Sequence, residues 1–129
     1  MTVDAYHLVA RLWGVERRGP LSSVETARAL VETVCTLAGM EVLGAPFVCY
    51  VVAEGKAWGP GVTALVPLVD SHMSLHCLEE QRVAFFDLFS CKPFDWAEVL
   101  TFLRLAFGGH GRAHVVDRVE DLTLHDSTW

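Results

Sequence analysis

Ser71-His72-Met73-Ser74-Leu75-His76-Cys77-Leu78 is the stretch on which the fold turns. Its residues alternate. Ser71, Met73, Leu75 and Cys77 point to one side, while His72, Ser74 and His76 point to the other, the period of a strand with one face in a core and one outside it. Such strands build antiparallel sheets that are covered on one side. Residues 62–69 form an apolar run just before this stretch and residues 82–90 form another just after it, so three strands follow one another in sequence. Upstream, residues 41–53 are rich in Val, Phe and Tyr and read as a strand, with the glycine- and proline-bearing residues 54–61 as a loop. Residues 6–13 read as an opening strand and residues 14–20 as a turn-rich break.

Two helices complete the pattern. Ser22-Ser23-Val24-Glu25 reads as a capping box, with Ser22 and Glu25 satisfying each other's backbone donors. The helix it opens runs to about Ala38, carries Val24, Ala27, Val31, Val34 and Ala38 on one face, and stops at Gly39. Asp95 caps a second helix with Glu98 at the third position. Trp96, Val99, Leu100, Leu103 and Phe107 form its buried stripe, and Gly108-Gly109 end it. Residues 112–119 read as a last strand. The order β-α-β-β-β-β-α-β predicts an α+β fold: a two-layer sandwich, a mostly antiparallel sheet with two helices packed on one face. The other face is left for a second subunit or a substrate. With 129 residues, the chain is expected to form a single domain, 1–129.

Composition narrows the function. Hydrophobic residues make up 52% of the chain, which points to a buried oligomer face, because the longest apolar run, residues 45–53, is far too short to span a bilayer and contains Pro46. The net charge of −6 argues against a nucleic-acid partner and suits a cationic substrate. The N-terminus has no basic stretch followed by an apolar run, so no signal peptide is expected and the location is expected to be cytoplasmic. Cys35, Cys49, Cys77 and Cys91 form no CxxC pair and read as reduced thiols, the first three as packing residues. His72 and His76 share a strand face, but no third ligand joins them at a metal-like spacing, and His110 and His114 read as loop and strand-edge residues, so no metal is expected.

The polar residues around Ser71 are more telling. Asp70 precedes it, Thr63 lies eight residues before it, and His76, Glu80 and Cys91 lie five, nine and twenty residues after it. Ser-His-x-Ser-x-His at 71–76, with Gly61-Val62-Thr63 upstream and Asp87-Leu88-Phe89-Ser90-Cys91 downstream, resembles the bacterial and archaeal S-adenosylmethionine decarboxylase proenzymes. The resemblance runs from the opening strand at His7-Leu8-Val9-Ala10 to Cys91. It implies that Ser71 attacks the carbonyl of Asp70, breaks its own peptide bond and becomes a pyruvoyl group. The products would be a β chain of residues 1–70 and an α chain of residues 71–129. It further implies His76 as the processing histidine, Thr63 as the assisting hydroxyl and Cys91 as the proton donor in decarboxylation. Glu80 would grip the ribose hydroxyls, and Trp58, in Trp58-Gly59-Pro60-Gly61-Val62-Thr63, would stack on the substrate. The pyruvoyl ketone would condense with the substrate amine and accept the electrons released with carbon dioxide. The family also implies a homodimer of cleaved protomers with residues from both around each site, supplying the aminopropyl donor for spermidine.

The chain departs from the family at three places. Asp70 replaces the usual Glu, Cys77-Leu78-Glu79-Glu80 replaces Thr-Trp-Pro-Glu, and Lys92-Pro93 follow Cys91 where glycine is usual. These changes leave two alternatives to S-adenosylmethionine decarboxylation. One is the same chemistry on arginine or ornithine. The other is an uncleaved, non-catalytic paralogue acting as a binding or regulatory subunit.

Overall fold

The computed structural model describes residues 4–52 and 59–116. Among the described residues, six strands form one antiparallel sheet: β1 (Tyr6–Trp13), β2 (Phe47–Val51), β3 (Gly61–Leu68), β4 (Ser71–Leu78), β5 (Val83–Ser90) and β6 (His110–Val116), in the order β2-β3-β4-β5-β1-β6. The alternating stretch is the third of these six strands across the sheet, paired on both sides. Its inward residues Met73, Leu75 and Cys77 are buried, together with Leu8, Ala10 and Leu12 of β1, Ala64 and Val66 of β3, and Ala84, Phe86 and Leu88 of β5. Three helices cover that face: α1 (Gly19–Ser22), α2 (Val24–Leu37) and α3 (Trp96–Phe107). The fold is therefore the expected α+β two-layer sandwich, with one helix more than the sequence suggested.

The extra helix is a single turn inside the predicted break, with Pro20 in its first turn, where a missing N–H costs nothing. It also moves the cap of α2. Ser22 is spent as the last residue of α1, its hydroxyl donating to the Arg18 carbonyl, so Ser23 rather than Ser22 caps α2 by accepting from Thr26 N at 3.2 Å. α2 then buries Ala27, Val31 and Val34 as expected, with Leu30 and Cys35 beside them. The cap of α3 is as read: Asp95 accepts from Glu98 N at 3.0 Å. Gly108 ends α3 at φ 64°, a conformation that costs a glycine nothing. Trp96 does not join the buried stripe, because α3 meets the core only from Val99 onward.

Two strand boundaries also differ. β2 begins at Phe47 rather than residue 41, since Gly44 and Pro46 interrupt the run. The segment before it still touches the sheet through a single bridge from Val42 to Leu68. The last strand starts at His110, not at residue 112, and His110 pairs with Trp13. Its predicted end, and most of the 54–61 loop, lie outside the described residues.

Gly61 starts β3 where no side chain fits. A Cβ there would fall onto the carbonyl oxygen of Cys77 in the neighbouring strand. Forcing a methyl against backbone costs about 3 kcal/mol. Gly61→Ala is therefore expected to lower the melting temperature by many degrees in a thermal scan. A melting point equal to that of the wild type would show that the two strands can separate at no cost.

Candidate active site

The candidate site residues fall at the two ends of β4. At the first end, β3 and β4 are joined by the two-residue turn Val69–Asp70. Asp70 has φ 56°, the left-handed region that a residue with a Cβ enters at a cost of about 1–3 kcal/mol. Aspartate tolerates this region better than most residues, so the shorter acid at this position suits the turn. Three sets of contacts hold the turn. Val69 N donates to the Glu41 carbonyl at 2.9 Å, Cys91 N donates to the Asp70 carbonyl at 3.0 Å, and Ser71 is in register with Ser90. The carbonyl that Ser71 would attack is thus already polarised by a backbone N–H.

The Ser71 hydroxyl is held as well. It donates to Ser90 Oγ at 2.9 Å, and Ser90 Oγ also accepts from Lys92 N at 2.9 Å. Ser90 is completely buried. Motif spacing points to Cys91 and not to Ser90. The signal was present in the register: the β4–β5 turn pairs Leu78 with Val83, and counting outward from that pair sets Ser71 opposite Ser90.

At the other end of β4, Thr63 and His76 are directly opposed across β3 and β4, with Thr63 Oγ1 and His76 Nδ1 3.2 Å apart. Glu80 follows in the β4–β5 turn, close enough to Gly59 that a Cβ there would meet its carboxylate at 3.5 Å. Beside it, Tyr50 donates to Glu79 Oε2 at 2.7 Å, a bond that raises the phenol above its ordinary value and keeps it protonated. Trp58 lies outside the described residues.

The two ends do not meet within one chain. Ser71 and His76 are five residues apart on one strand, which puts them on opposite faces and separates them by roughly 17 Å. The structure brings Ser71, Asp70 and Cys91 together, and separately Thr63, His76 and Glu80.

Between these ends lies the uncovered face of the sheet. It exposes Leu65, Phe85 and Val9, each more than a third accessible. A depression of about 570 Å³ is lined there by Val9, Arg11, Ser74, His76, Phe85 and Asp87. His7 Nε2 donates to Asp87 Oδ2 at 2.7 Å, and His72 stacks on Phe89 with ring centroids 5.3 Å apart. Among the described residues, no group of three or more His, Cys, Asp or Glu could hold a metal ion, and no helix is long and apolar enough to cross a membrane. Burial pushes the Cys77 thiol up to about 12 and raises that of Cys35, so neither ionises near neutral pH. Cys91 is partly exposed beside the Asp70 turn.

Comparison with known proteins places the chain in a family. Residues 6–119 match the family model described as S-adenosylmethionine decarboxylase. A Methanococcus maripaludis protein named S-adenosylmethionine decarboxylase proenzyme is 32% identical over 85 residues, which cover 66% of this chain and 63% of that one. An Archaeoglobus fulgidus protein of the same name is 30% identical over 86 residues, covering 66% and 69%. The matched stretch thus spans a little under two thirds of the Methanococcus relative. A crystal structure of the adenosylmethionine decarboxylase from Aquifex aeolicus superposes with a TM-score of 0.71 at 20% identity, covering 98% of this chain and all of that one, and shares its fold. The chain belongs to the S-adenosylmethionine decarboxylase family.

Proposed function

We propose that this chain is the precursor of a pyruvoyl-dependent decarboxylase that cleaves itself between Asp70 and Ser71 and acts on S-adenosylmethionine. The observation that carries the reading is the grip on that one peptide: a left-handed Asp70, a backbone donor on its carbonyl and a bonded Ser71 hydroxyl. A serine oxygen attacking the preceding carbonyl forms an oxyanion, and a backbone N–H aimed at that oxygen stabilises it. Cys91 N is placed for this role. The Ser71 nitrogen then leaves, and the chain is joined through an ester. A base must next remove the Ser71 Cα proton so that the 1–70 segment departs as a carboxylate, and His76, with Thr63 holding its Nδ1, is that base.

Since His76 of the same chain is out of reach, the base comes from a second copy. A two-fold axis would lay the uncovered sheet faces together and set one protomer's Asp70 turn against its partner's Thr63–His76 end. The exposed Val9, Leu65 and Phe85 supply an apolar surface for that contact.

The residues at the Asp70 turn fit a pyruvoyl group at position 71, which supplies the electron sink for decarboxylation. Around it, the Cys91 thiol delivers the proton that replaces the lost carboxylate. Glu80 accepts from the two ribose hydroxyls, as a carboxylate can. The product would serve as the aminopropyl donor for spermidine, in the cytoplasm, in keeping with four cysteines none of which is in a disulfide. One observation favours the second substrate class, a basic amino acid. Glu79, held by Tyr50, adds a carboxylate next to Glu80 and would attract a cationic side chain.

Carbon dioxide release from carboxyl-labelled S-adenosylmethionine, arginine and ornithine tests the assignment. Release from S-adenosylmethionine is expected. Release from a basic amino acid alone would move the enzyme to the second class, and release from none would overturn the decarboxylase reading.

A further inference from the structure

We propose that Ser90 is a positioning residue for the breaking of the Asp70–Ser71 bond, an inference that rests on the self-cleavage reading above and gives a role to a side chain outside the Ser71, His76, Cys91 and Thr63 set. Ser90 is the one polar residue in the fully buried set among the described residues. Hiding a hydroxyl from water costs about 1–3 kcal/mol unless it is bonded. The Ser90 oxygen accepts two bonds, one from the Ser71 O–H of the reactive peptide and one from the Lys92 N–H just after β5.

The geometry makes the Ser90 oxygen a fixed point. Its Cα is placed by the β4–β5 register opposite Ser71, and the Lys92 N–H occupies one of its two lone pairs. What remains accepts the Ser71 hydrogen. A serine hydroxyl has three staggered positions about χ1, and this bond selects one. With its hydrogen committed to Ser90, the Ser71 oxygen has its lone pairs left for the Asp70 carbonyl carbon. Three consecutive residues therefore act on one peptide: Ser90 Oγ orients the nucleophile, Cys91 N polarises the carbonyl, and Lys92 N fixes Ser90.

The step balances without a co-reactant. The bond from Ser71 Oγ to the Asp70 carbonyl carbon forms, the bond from that carbon to the Ser71 nitrogen breaks, and the hydroxyl proton ends on that nitrogen. Nothing is oxidised or reduced, and Ser90 emerges unchanged.

Ser90 acts before the ester exists, and that separates its role from that of the base. The test follows self-cleavage of purified full-length chain by intact mass for wild type, Ser90→Ala, Ser90→Thr and Ser90→Val, with and without hydroxylamine, which cuts esters but not amides. Ser90→Ala is expected to cleave about 100-fold more slowly, the scale on which a misplaced reactant slows a reaction. Its uncut chain should resist hydroxylamine, because the arrest is at the amide. Threonine and valine have the same shape and differ in the hydroxyl, so this pair isolates it even if the alanine variant folds poorly. Ser90→Thr is expected to cleave at least about 10-fold faster than Ser90→Val, since a well-placed hydrogen bond is worth about one factor of ten. Equal rates for that pair, or an uncut chain that hydroxylamine splits, would overturn the role of Ser90 while leaving self-cleavage standing. A wild-type chain that never cleaves would overturn both.

Discussion

Ser71→Ala is expected to stay a single full-length chain under conditions in which the wild type becomes two fragments, residues 1–70 and residues 71–129. The second fragment of the wild type should resist N-terminal sequencing, because a ketone replaces its amine. The alanine variant should release no carbon dioxide from any substrate. The expectation is all-or-none because only one atom is removed from an otherwise intact arrangement. Asp70 keeps its left-handed backbone, Cys91 N keeps the Asp70 carbonyl, and Ser90 Oγ keeps the Lys92 N–H. The lost hydrogen bond is worth about 1 kcal/mol, so the variant should melt within a few degrees of the unprocessed wild type. A folded chain that cannot cleave separates chemistry from stability. Cleavage of Ser71→Ala at the 70–71 junction would remove the hydroxyl from the mechanism. A wild type that remains whole, with no keto group detectable, would remove the mechanism itself.

What could be read from the sequence follows from how local the determining interactions are. The β4 alternation was legible because each inward residue, Met73, Leu75 and Cys77, is buried by the same helix layer. The α3 cap was legible because Asp95 lies three residues before Glu98 and its carboxylate accepts from the Glu98 N–H without help from any other part of the chain. The α2 cap was misplaced by one residue because Ser22 and Ser23 are chemically equivalent, and only the one-turn α1 decides between them. β2 was overextended because Val42 and Leu43 are strand-like residues whose segment reaches the sheet by one bridge, flanked by two backbone bonds, rather than a ladder. The site was half legible. Motif spacing nominates Ser71, Thr63, His76, Glu80 and Cys91, but spacing along a chain does not say which of them meet. That requires the strand register, which splits the set between the two ends of β4 and brings Ser90 to Ser71.

The split predicts complementation between two defective chains. His76→Ala alone should be arrested after the acyl shift, because the base is missing, and hydroxylamine should cut the waiting ester. Ser71→Ala alone should be uncut and resistant to hydroxylamine. Each nevertheless retains what the other lacks: the His76→Ala chain carries Ser71, Ser90 and Cys91, and the Ser71→Ala chain carries Thr63 and His76. No side chain bridges the roughly 17 Å between Ser71 and His76 within one strand, and their opposite faces rule out a small hinge. If a two-fold dimer brings the ends together, a mixed dimer holds one complete site. Co-expressing the two variants with different tags and isolating the mixed dimer should therefore restore cleavage, confined to the His76→Ala chain, while the Ser71→Ala chain stays whole. Cleavage of His76→Ala by itself at the wild-type rate would show that another group is the base. A verified mixed dimer in which the His76→Ala chain stays arrested would show that the partner's histidine does not reach, and the uncovered sheet face would then need a different occupant. Restored cleavage would place the second half of each site on the neighbouring subunit and would explain why the face carrying Val9, Leu65 and Phe85 is left bare of helices.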